Sequence, residues 1–256
     1  MTDPSGGVDL AGKVALVTGS TSGIGAAVIR RLAAQGCSVV VNSVRSVDAG
    51  QQLVAELEGD HGAGRAHYVQ GDIAVTDDAR RLVRETVERF GRLDILVNNA
   101  GTTVRIPHDD LTSATPEVFR RLFDVNVVGT WQVTVEAMPH LRASGAGCIV
   151  NVSSLAGVRP TGSSIPYAVS KAALNHLTQL LANVCGPEVR VNAVAPGLIA
   201  TPWTAEWDDL HAGVQAFAPM RRSGQPEDVA EVVLTLARAT YVTGEVWVVD
   251  GGMQLR

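Results

Sequence analysis

The stretch KVALVTGSTSGIG, residues 13–25, decides the fold of this chain. It begins with a short apolar run typical of a buried strand, continues through Gly19, Gly23 and Gly25, and leads into an apolar helical pattern. Glycine lets the backbone turn tightly, lets a pyrophosphate approach the amide groups, and lets the helix pack close to the strand. The unpaired N–H groups at the start of a helix also attract phosphate. This stretch therefore predicts a strand, a dinucleotide-binding turn and a helix.

The alternation of short apolar runs and helical patterns continues along the chain. Further strands are predicted at 38–42, 67–70, 93–97, 148–152, 189–194 and 245–249. Strands separated by helices form a parallel sheet, which binds ligands at the carboxyl ends of its strands. We predict an α/β fold with one domain over residues 1–256: a Rossmann-type, doubly wound parallel sheet of about seven strands with helices on both faces. The polar residues 1–10 predict a flexible N-terminal arm.

The end of the second strand bears on the choice of dinucleotide. An Asp or Glu at this point binds the 2′-hydroxyl of the adenosine ribose and would repel a 2′-phosphate. Here the strand ends in Ser43 and is followed by Val44 and Arg45, which supply a hydroxyl and a cation but no acid. The pattern favours NADP(H) over NAD(H). Binding of NAD(H), with Arg45 as a solvated loop residue, is the alternative.

Tyr167 and Lys171 stand four residues apart in a predicted helix. Residues at this spacing lie on one helix face, so the ammonium group can lie beside the phenol. A neighbouring cation in a partly desolvated pocket favours the phenolate and lowers the tyrosine pKa from its usual ~10. The pair predicts a group that exchanges a proton near neutral pH, although surface Tyr and Lys residues also occur at this spacing.

Two segments depart from the regular pattern. A long helical region is predicted from about 116 to 141, and Asn126 interrupts its apolar stripe, where a buried amide needs a partner. The segment at about 198–220 breaks the alternation and contains Trp203 and Trp207. Such a break after a strand end is typical of a substrate lid. The tryptophans then belong either to a pocket wall or to the core or a subunit contact.

Composition disfavours several classes of function. The formal net charge of -5 argues against a nucleic-acid or anionic-membrane surface, and no apolar run approaches the ~20 residues of a membrane span. The six histidines lack ligand spacing, so no metal is expected. The three cysteines show no ligand or paired pattern, which is typical of a reducing compartment. We expect a cytoplasmic protein that binds a small molecule, with no nucleic acid and no membrane as partner.

From Val14 to Gly252 the chain resembles a short-chain dehydrogenase/reductase of the common single-domain type. The pattern is closest to that of 3-oxoacyl-reductase-like members. The motifs occur in the family order, and the serine precedes the tyrosine by 13 positions, as the family pattern requires. These motifs are TGxxxGIG at 18–25, NNAG at 98–101, Asn126, Ser154, YxxxK at 167–171, Pro196-Gly197 and VDGG at 249–252.

The resemblance implies a hydride transfer between NADP(H) and a carbonyl or secondary alcohol. Tyr167 would be the general acid or base, Lys171 would stabilise its phenolate, Ser154 would hold the substrate oxygen, and Asn126 would hold a water in a proton relay. The implied cofactor contacts are Gly19, Thr21, Ser22, Gly23, Ile24, Gly25, Ser43, Arg45, Asp72, Ile73, Asn98, Ala100, Gly101, Tyr167, Lys171, Pro196, Gly197, Ile199 and Thr201. A homo-oligomer, tetramer or dimer, is also implied.

Two departures from the family pattern leave alternatives open. Many NADP-preferring members carry a basic residue where this chain has Ser22, so the preference for NADP(H) depends on Ser43 and Arg45. Residues 177–188 contain no Lys or Arg for an acidic carrier protein, which favours a free small carbonyl over a carrier-bound acyl group. The alternatives are an NAD(H)-dependent hydroxysteroid or small-alcohol dehydrogenase, a 3-oxoacyl-carrier-protein reductase, and a dinucleotide-binding regulator without activity.

Overall fold

The predicted α/β fold is confirmed by the structure, a computed structural model that describes residues 7–256. The described chain contains seven parallel strands in the order β3-β2-β1-β4-β5-β6-β7. These are β1 Val14–Val17, β2 Ser38–Ser43, β3 Ala66–Gln70, β4 Ile95–Asn98, β5 Gly147–Val152, β6 Val189–Pro196 and β7 Val246–Val249. The helices are α1 Gly23–Ala34, α2 Val47–His61, α3 Thr76–Phe90, α4 Pro116–Phe123, α5 Thr130–Ala143, α6 Ile165–Cys185, α7 Asp208–Phe217 and α8 Pro226–Arg238.

Helices cover both faces of the sheet because its strands are apolar on both sides. Along β1, Ala15 and Val17 pack into the core beneath α1, α2 and α8, whereas Val14 and Leu16 pack into the core beneath α3, α5 and α6. The strand order reverses between β1 and β4, which are neighbours in the sheet although three helices and two strands separate them in the chain. In open parallel sheets, such a reversal forms the ligand crevice at the carboxyl ends.

A buried carboxylate, Asp94, fastens the start of β1 to the start of β4. It accepts hydrogen bonds from the Val14 backbone N–H at 3.0 Å, from Lys13 Nζ at 3.1 Å, and from both ends of the Arg92 guanidinium at 2.6 and 2.7 Å. Burial by itself would raise the pKa of Asp94, but the bonds from Arg92, Val14 and Lys13 outweigh it and hold the pKa below its usual value. Asp94 is therefore charged and paired at neutral pH.

We expect Asp94→Asn to lower the free energy of unfolding by about 2–3 kcal/mol, because two cations and an amide lose a buried anionic partner. Since the folded pKa is depressed, the Asp94 contribution is present above its unfolded pKa of ~4 and is lost as pH falls through the folded pKa. Urea unfolding at pH 7 and at about pH 2.5, below the unfolded pKa, would measure both effects. Asp60→Asn, in the exposed last turn of α2, is the control. Equal stability of the two variants would contradict the assignment.

Three parts of the predicted organisation differ from the structure. Residues 1–6 of the predicted arm lie outside the described residues, but the Val8 N–H bonds to the Arg238 carbonyl and Leu10 is buried, so the arm prediction extends too far. The helix predicted from about 116 to 141 is divided by a π-helical segment, Asp124–Gly129. The predicted lid is more regular than expected, since it contains α7.

Candidate active site

The glycine turn after β1 has no room for side chains. Gly19 and Gly23 adopt φ values of +60° and +53°, which glycine tolerates best. A Cβ atom added at Gly19 would lie 2.9 Å from Ala100 Cα, and one at Gly25 would lie 2.5 Å from Asn99 Nδ2. The turn is therefore pressed against the end of β4 and against α1, as the sequence predicted.

Two asparagines hold this turn in place. The side chain of Asn42, in β2, accepts a hydrogen bond from the Gly19 N–H at 3.1 Å. Asn99, which follows β4, donates to the carbonyls of Thr18 and Gly19 at 2.9 and 2.8 Å. Sequence reasoning assigned neither as a site residue, although Asn99 stands within the NNAG motif and both lie near the carboxyl ends of buried strands.

The turn opens into the N-terminus of α1. Ser22 is the N-cap residue, and its side chain makes no capping bond, so the first N–H groups of α1 keep their capacity to bind an anion. Ser22, Gly23 and Ile24 line the cavity described below, whereas Thr21 and Gly25 do not. This cradle, which any Cβ would fill, fits the pyrophosphate of a dinucleotide.

At the predicted adenosine end of the crevice, the cavity is lined by the hydroxyl group of Ser43, which is bonded to Tyr68 behind it. Ser43 lies at the end of β2, and its hydroxyl is 2.9 Å from the hydroxyl of Tyr68 on β3. Sequence reasoning missed Tyr68, because its position in the neighbouring strand depends on the β2–β3 register. Asp72 and Ile73 line the cavity beyond β3, while Arg45 is exposed just outside it.

A cavity of about 540 Å³ runs along the carboxyl ends of the strands. Most of the predicted site residues line it: Gly19, Ser22, Gly23, Ile24, Ser43, Asp72, Ile73, Ala100, Gly101, Ser154, Tyr167, Lys171, Pro196, Gly197, Ile199 and Thr201. Asn98 does not. Its buried amide donates to Thr134 and Asn151, while the adjacent Asn99 lines the cavity, so the cofactor contact of Asn98 stays a prediction.

Tyr167 and Lys171 lie on the first two turns of α6. Ser164 caps this helix by accepting a hydrogen bond from the Tyr167 N–H at 3.3 Å. Lys171 is buried, its Nζ donates to the Val152 carbonyl at 2.9 Å, and it lies 5.8 Å from the centroid of the Tyr167 ring. The helix N-terminus and the lysine both place positive charge near the phenol.

Desolvation dominates the titration of this pair. It raises the pKa of the Tyr167 phenol, and hydrogen bonding from Ser154 lowers that pKa by a smaller amount. Burial also lowers the pKa of Lys171 to about 8. The expectation of a lowered Tyr167 pKa is therefore wrong, because burial raises the pKa of the phenol and keeps it protonated at neutral pH.

Ser154 is placed by the end of β5. Its Oγ accepts a hydrogen bond from the Ala156 N–H at 3.2 Å and so caps the short turn Leu155–Gly157. A Cβ added at Gly157 would lie 2.6 Å from the Lys171 carbonyl carbon, so this turn is packed directly against α6. The contact fixes Ser154 relative to Tyr167.

Asn126 lies in the π-helical segment and connects two parts of the site. Its Nδ2 donates to the Thr102 carbonyl and to Ser170 Oγ, both at 3.0 Å, and its Oδ1 accepts from the Thr102 N–H at 2.8 Å. A Cβ added at Gly101 would lie 3.3 Å from Asn126 Oδ1 and 3.6 Å from Lys171 Nζ. Asn126 thus positions the loop after β4 beside α6, while its role in a water relay stays a prediction.

The predicted lid forms the outer wall of the cavity. Trp203 and Trp207 both line it, in agreement with the pocket-wall interpretation, and Leu210 and Phe217 of α7 extend the wall. An ion pair between Asp209 and Arg105 holds α7 to the loop after β4. Arg105 also stacks over the Trp207 ring at 6.0 Å from its centroid.

Comparison with known proteins identifies the family. A family model described as "Enoyl-(Acyl carrier protein) reductase" matches residues 19–254. The "crystal structure of a putative short-chain dehydrogenase/reductase from Burkholderia xenovorans" superposes with a TM-score of 0.88 at 37% identity, over 95% of this chain and 98% of that chain. The chain belongs to the short-chain dehydrogenase/reductase family. It is accordingly an oxidoreductase that acts on keto or hydroxyl groups and binds a nicotinamide dinucleotide.

Two further members of the family are informative. The "granaticin polyketide synthase putative ketoacyl reductase 2" of Streptomyces violaceoruber is 59% identical over 245 residues, 94% of this chain and 96% of the relative. The structure of ElxO with NADP bound has a TM-score of 0.86 at 29% identity and covers 95% of this chain and 99% of that chain.

Among residues 7–256, no helix is long and apolar enough to span a membrane.

Proposed function

We propose that this short-chain dehydrogenase/reductase uses NADPH to reduce a ketone to a secondary alcohol, and that it catalyses the reverse oxidation. One observation carries the proposal: Ser154, Tyr167 and Lys171 converge on the cavity that begins at the glycine turn. Their hydroxyl, phenol and ammonium groups are the proton donors and the cation that carbonyl reduction needs.

The proposed mechanism assigns one task to each group. The nicotinamide, when bound, supplies the hydride. The Ser154 hydroxyl donates a hydrogen bond to the carbonyl oxygen, and Tyr167 gives its proton to this oxygen as negative charge develops there. The raised pKa of Tyr167 keeps the phenol protonated at neutral pH, as an acid must be. With a pKa of about 8, Lys171 is charged at pH 7 and stabilises the phenolate that remains.

Regeneration of the acid requires a path for a proton from solvent. Asn126 supports the proposed relay because its Oδ1 and the Nζ of Lys171 lie on the same side of Gly101, 3.3 and 3.6 Å from the position of an added Cβ. Both amide hydrogens of Asn126 are already bonded to Thr102 and Ser170. A relay water would therefore bind an oxygen of Asn126 and not its amino group.

The proposed preference for NADP(H) is supported by the adenosine end of the crevice. Ser43, whose hydroxyl is bonded to that of Tyr68, lines the cavity there, no acid stands at the end of β2, and the exposed Arg45 is two residues beyond Ser43. The guanidinium group pairs well with phosphate. These features fit a 2′-phosphate, and an exposed arginine can move to meet it.

We expect Arg45→Ala to raise the KM for NADPH about tenfold, because one charge-assisted phosphate contact is lost. The KM for NADH and kcat should hardly change. Steady-state rates with both cofactors and one ketone would measure this, with Arg84→Ala on the exposed side of α3 as the control. A wild-type preference for NADH, or an unchanged NADPH KM in the variant, would support an NAD(H)-dependent alcohol dehydrogenase in its place.

A ketoacyl thioester is the second candidate substrate, and the 59% identity to a relative named as a ketoacyl reductase favours it. The absence of Lys and Arg from residues 177–188 favours a free ketone. Rates on a free 3-oxo ester and on the matching N-acetylcysteamine thioester would separate the two. A large advantage of the thioester would favour the carrier-bound class.

We also propose a homo-oligomer, either a dimer or a tetramer. Apolar side chains are exposed along α5 and α6, among them Trp131, Val135, Leu180 and Val184. Exposed apolar patches of this kind are typical of protein contacts. The exposed apolar faces of α5 and α6 therefore support the proposed contact between subunits.

A further inference from the structure

The side of α7 that faces the cavity is apolar except for Asp209 at its start. Trp207, Leu210, Gly213, Val214 and Phe217 all line the cavity, and their spacing of three or four residues places them on one helix face. The ion pair of Asp209 with Arg105 fixes the start of this helix. This part of the cavity wall is therefore a helix face and not an irregular loop.

Much of this wall remains uncovered by the protein itself. Trp203 is 48% exposed, Phe217 46% and Leu210 38%, although all three line the cavity. Apolar side chains at the mouth of a cavity gain free energy when a ligand removes them from water. Two of these three exposed side chains are aromatic, so the wall matches a ligand with an apolar ring system.

Gly213 belongs to this apolar helix face, and no contact within the fold requires a glycine at this position. Glycine is unfavourable inside a helix, and the other described glycines of the cavity wall each have a protein atom within 4 Å of an added Cβ. A Cβ added at Gly213 meets nothing within 4 Å, and its φ lies outside the left-handed region. Gly213 therefore lines the cavity at a place where a side chain would meet open space.

The charged side chains of the cavity wall also indicate an uncharged substrate. The charged side chains among its described lining residues are Asp72, Lys171 and Asp209. Asp72 stands at the adenosine end, Lys171 is bonded beneath Tyr167, and Asp209 is paired with Arg105. This wall offers no unpaired cation for a carboxylate or phosphate, so the part of the substrate it contacts is uncharged.

We infer that Gly213 sets the width of the substrate cavity and admits an uncharged ketone whose carbonyl belongs to a fused ring system. The inference rests on the proposed ketone reduction and names its substrate class. The carbonyl oxygen would meet Ser154 and Tyr167, and the second ring would lie in the space beside Gly213, against Trp207 and Phe217. Gly213 is a specificity-determining residue in this arrangement, without a chemical role.

A pair of ketones that differ by one ring tests the inference. Cyclohexanone and 2-tetralone both carry an unconjugated carbonyl in a six-membered ring, and 2-tetralone adds a fused benzene ring. We expect the wild-type kcat/KM with NADPH to be higher for 2-tetralone. Gly213→Leu should lower that value about tenfold or more by filling the slot, while the value for cyclohexanone changes less than about threefold. For Gly213→Ala, we expect a kcat/KM for 2-tetralone between those of the wild type and Gly213→Leu.

Gly59→Leu is the matched control, because Gly59 also lies in a helix with nothing within 4 Å of an added Cβ but is exposed on α2, outside the cavity wall. It should leave both ketones unaffected, and melting temperatures would verify that all variants fold. Three results would overturn the inference: Gly213→Leu lowers kcat/KM equally for both ketones, it leaves kcat/KM unchanged for both, or the wild type has the higher kcat/KM for cyclohexanone.

Calorimetric titration of 2-tetralone separates this inference from the proposed function. If the wild type reduces neither ketone, the proposed reduction fails, but the cavity assignment is still tested by binding. Weaker binding to Gly213→Leu than to wild type and Gly59→Leu would support the assignment. Equal binding to all three, or no binding to the wild type, would overturn it.

Discussion

Tyr167→Phe is expected to lower kcat for ketone reduction by about 10²–10⁴-fold, because it removes the proposed proton donor and little else. The change deletes one oxygen from a ring that lines the cavity. Ser154 keeps its bond from the Ala156 N–H, and Lys171 keeps its bond to Val152, so neither neighbour needs to move. Binding of NADPH should change much less than kcat, since the glycine turn and Ser43 offer contacts to the cofactor that do not involve the phenol.

Single-turnover rates with NADPH, together with fluorescence titration of the cofactor, would measure the two effects separately. Tyr241→Phe is the matched control, because Tyr241 is fully exposed and lies outside the cavity wall. A Tyr167→Phe protein that binds NADPH and turns over at the wild-type rate would rule out Tyr167 as the acid. Loss of NADPH binding in this variant would instead assign the phenol to cofactor binding.

The sheet could be predicted from sequence because most of its strands, all but the edge strands β3 and β7, are buried on both faces. A strand such as β1 or β5 is then a continuous apolar run, and the helices between the strands impose the parallel order. The glycine turn was predictable for a related reason: Gly19 and Gly25 are required by close backbone contacts, which restrict the residue type directly.

Other features depend on packing that the sequence pattern does not reveal. The π-helical segment at Asp124–Gly129 has the same apolar periodicity as a continuous helix, so only the structure shows the break that positions Asn126. The helix α7 escaped prediction because its apolar stripe faces a cavity and includes Gly213. Asn98 and Asn99 are adjacent in one motif, and the pleat of β4 decides which of them reaches the cavity.

The direction of the Tyr167 pKa shift could not be predicted from residue spacing. The spacing of Tyr167 and Lys171 correctly predicted that the two groups would be neighbours. Spacing carries no information on desolvation, which raises the pKa of the phenol and lowers that of the ammonium group. Proximity was predictable, and the balance between burial and charge was not.

Lys171→Met is expected to stabilise the fold at neutral pH while it reduces activity at least about 100-fold. Burial lowers the Lys171 pKa from 10.5 to about 8, which corresponds to a cost of about 3 kcal/mol for keeping the ammonium buried and charged. Methionine keeps an unbranched apolar side chain but carries no charge. The Val152 carbonyl loses a donor, so the expected net gain in the free energy of unfolding is about 1–3 kcal/mol.

A buried, charged Lys171 makes the free energy of unfolding rise with pH in the wild type, which a merely structural role would not produce. Between pH 8 and 10.5 the unfolded wild-type chain binds a proton that the folded chain has lost, so wild-type stability rises with pH over this window. The advantage of Lys171→Met should therefore be largest below pH 8 and should shrink towards pH 10. Urea unfolding at pH 7 and 9.5, with Arg84→Met on α3 as control, would measure it. A variant that is less stable than wild type at pH 7, with an unchanged pH slope, would show that the ammonium of Lys171 stabilises the fold and is not held there at a cost for catalysis.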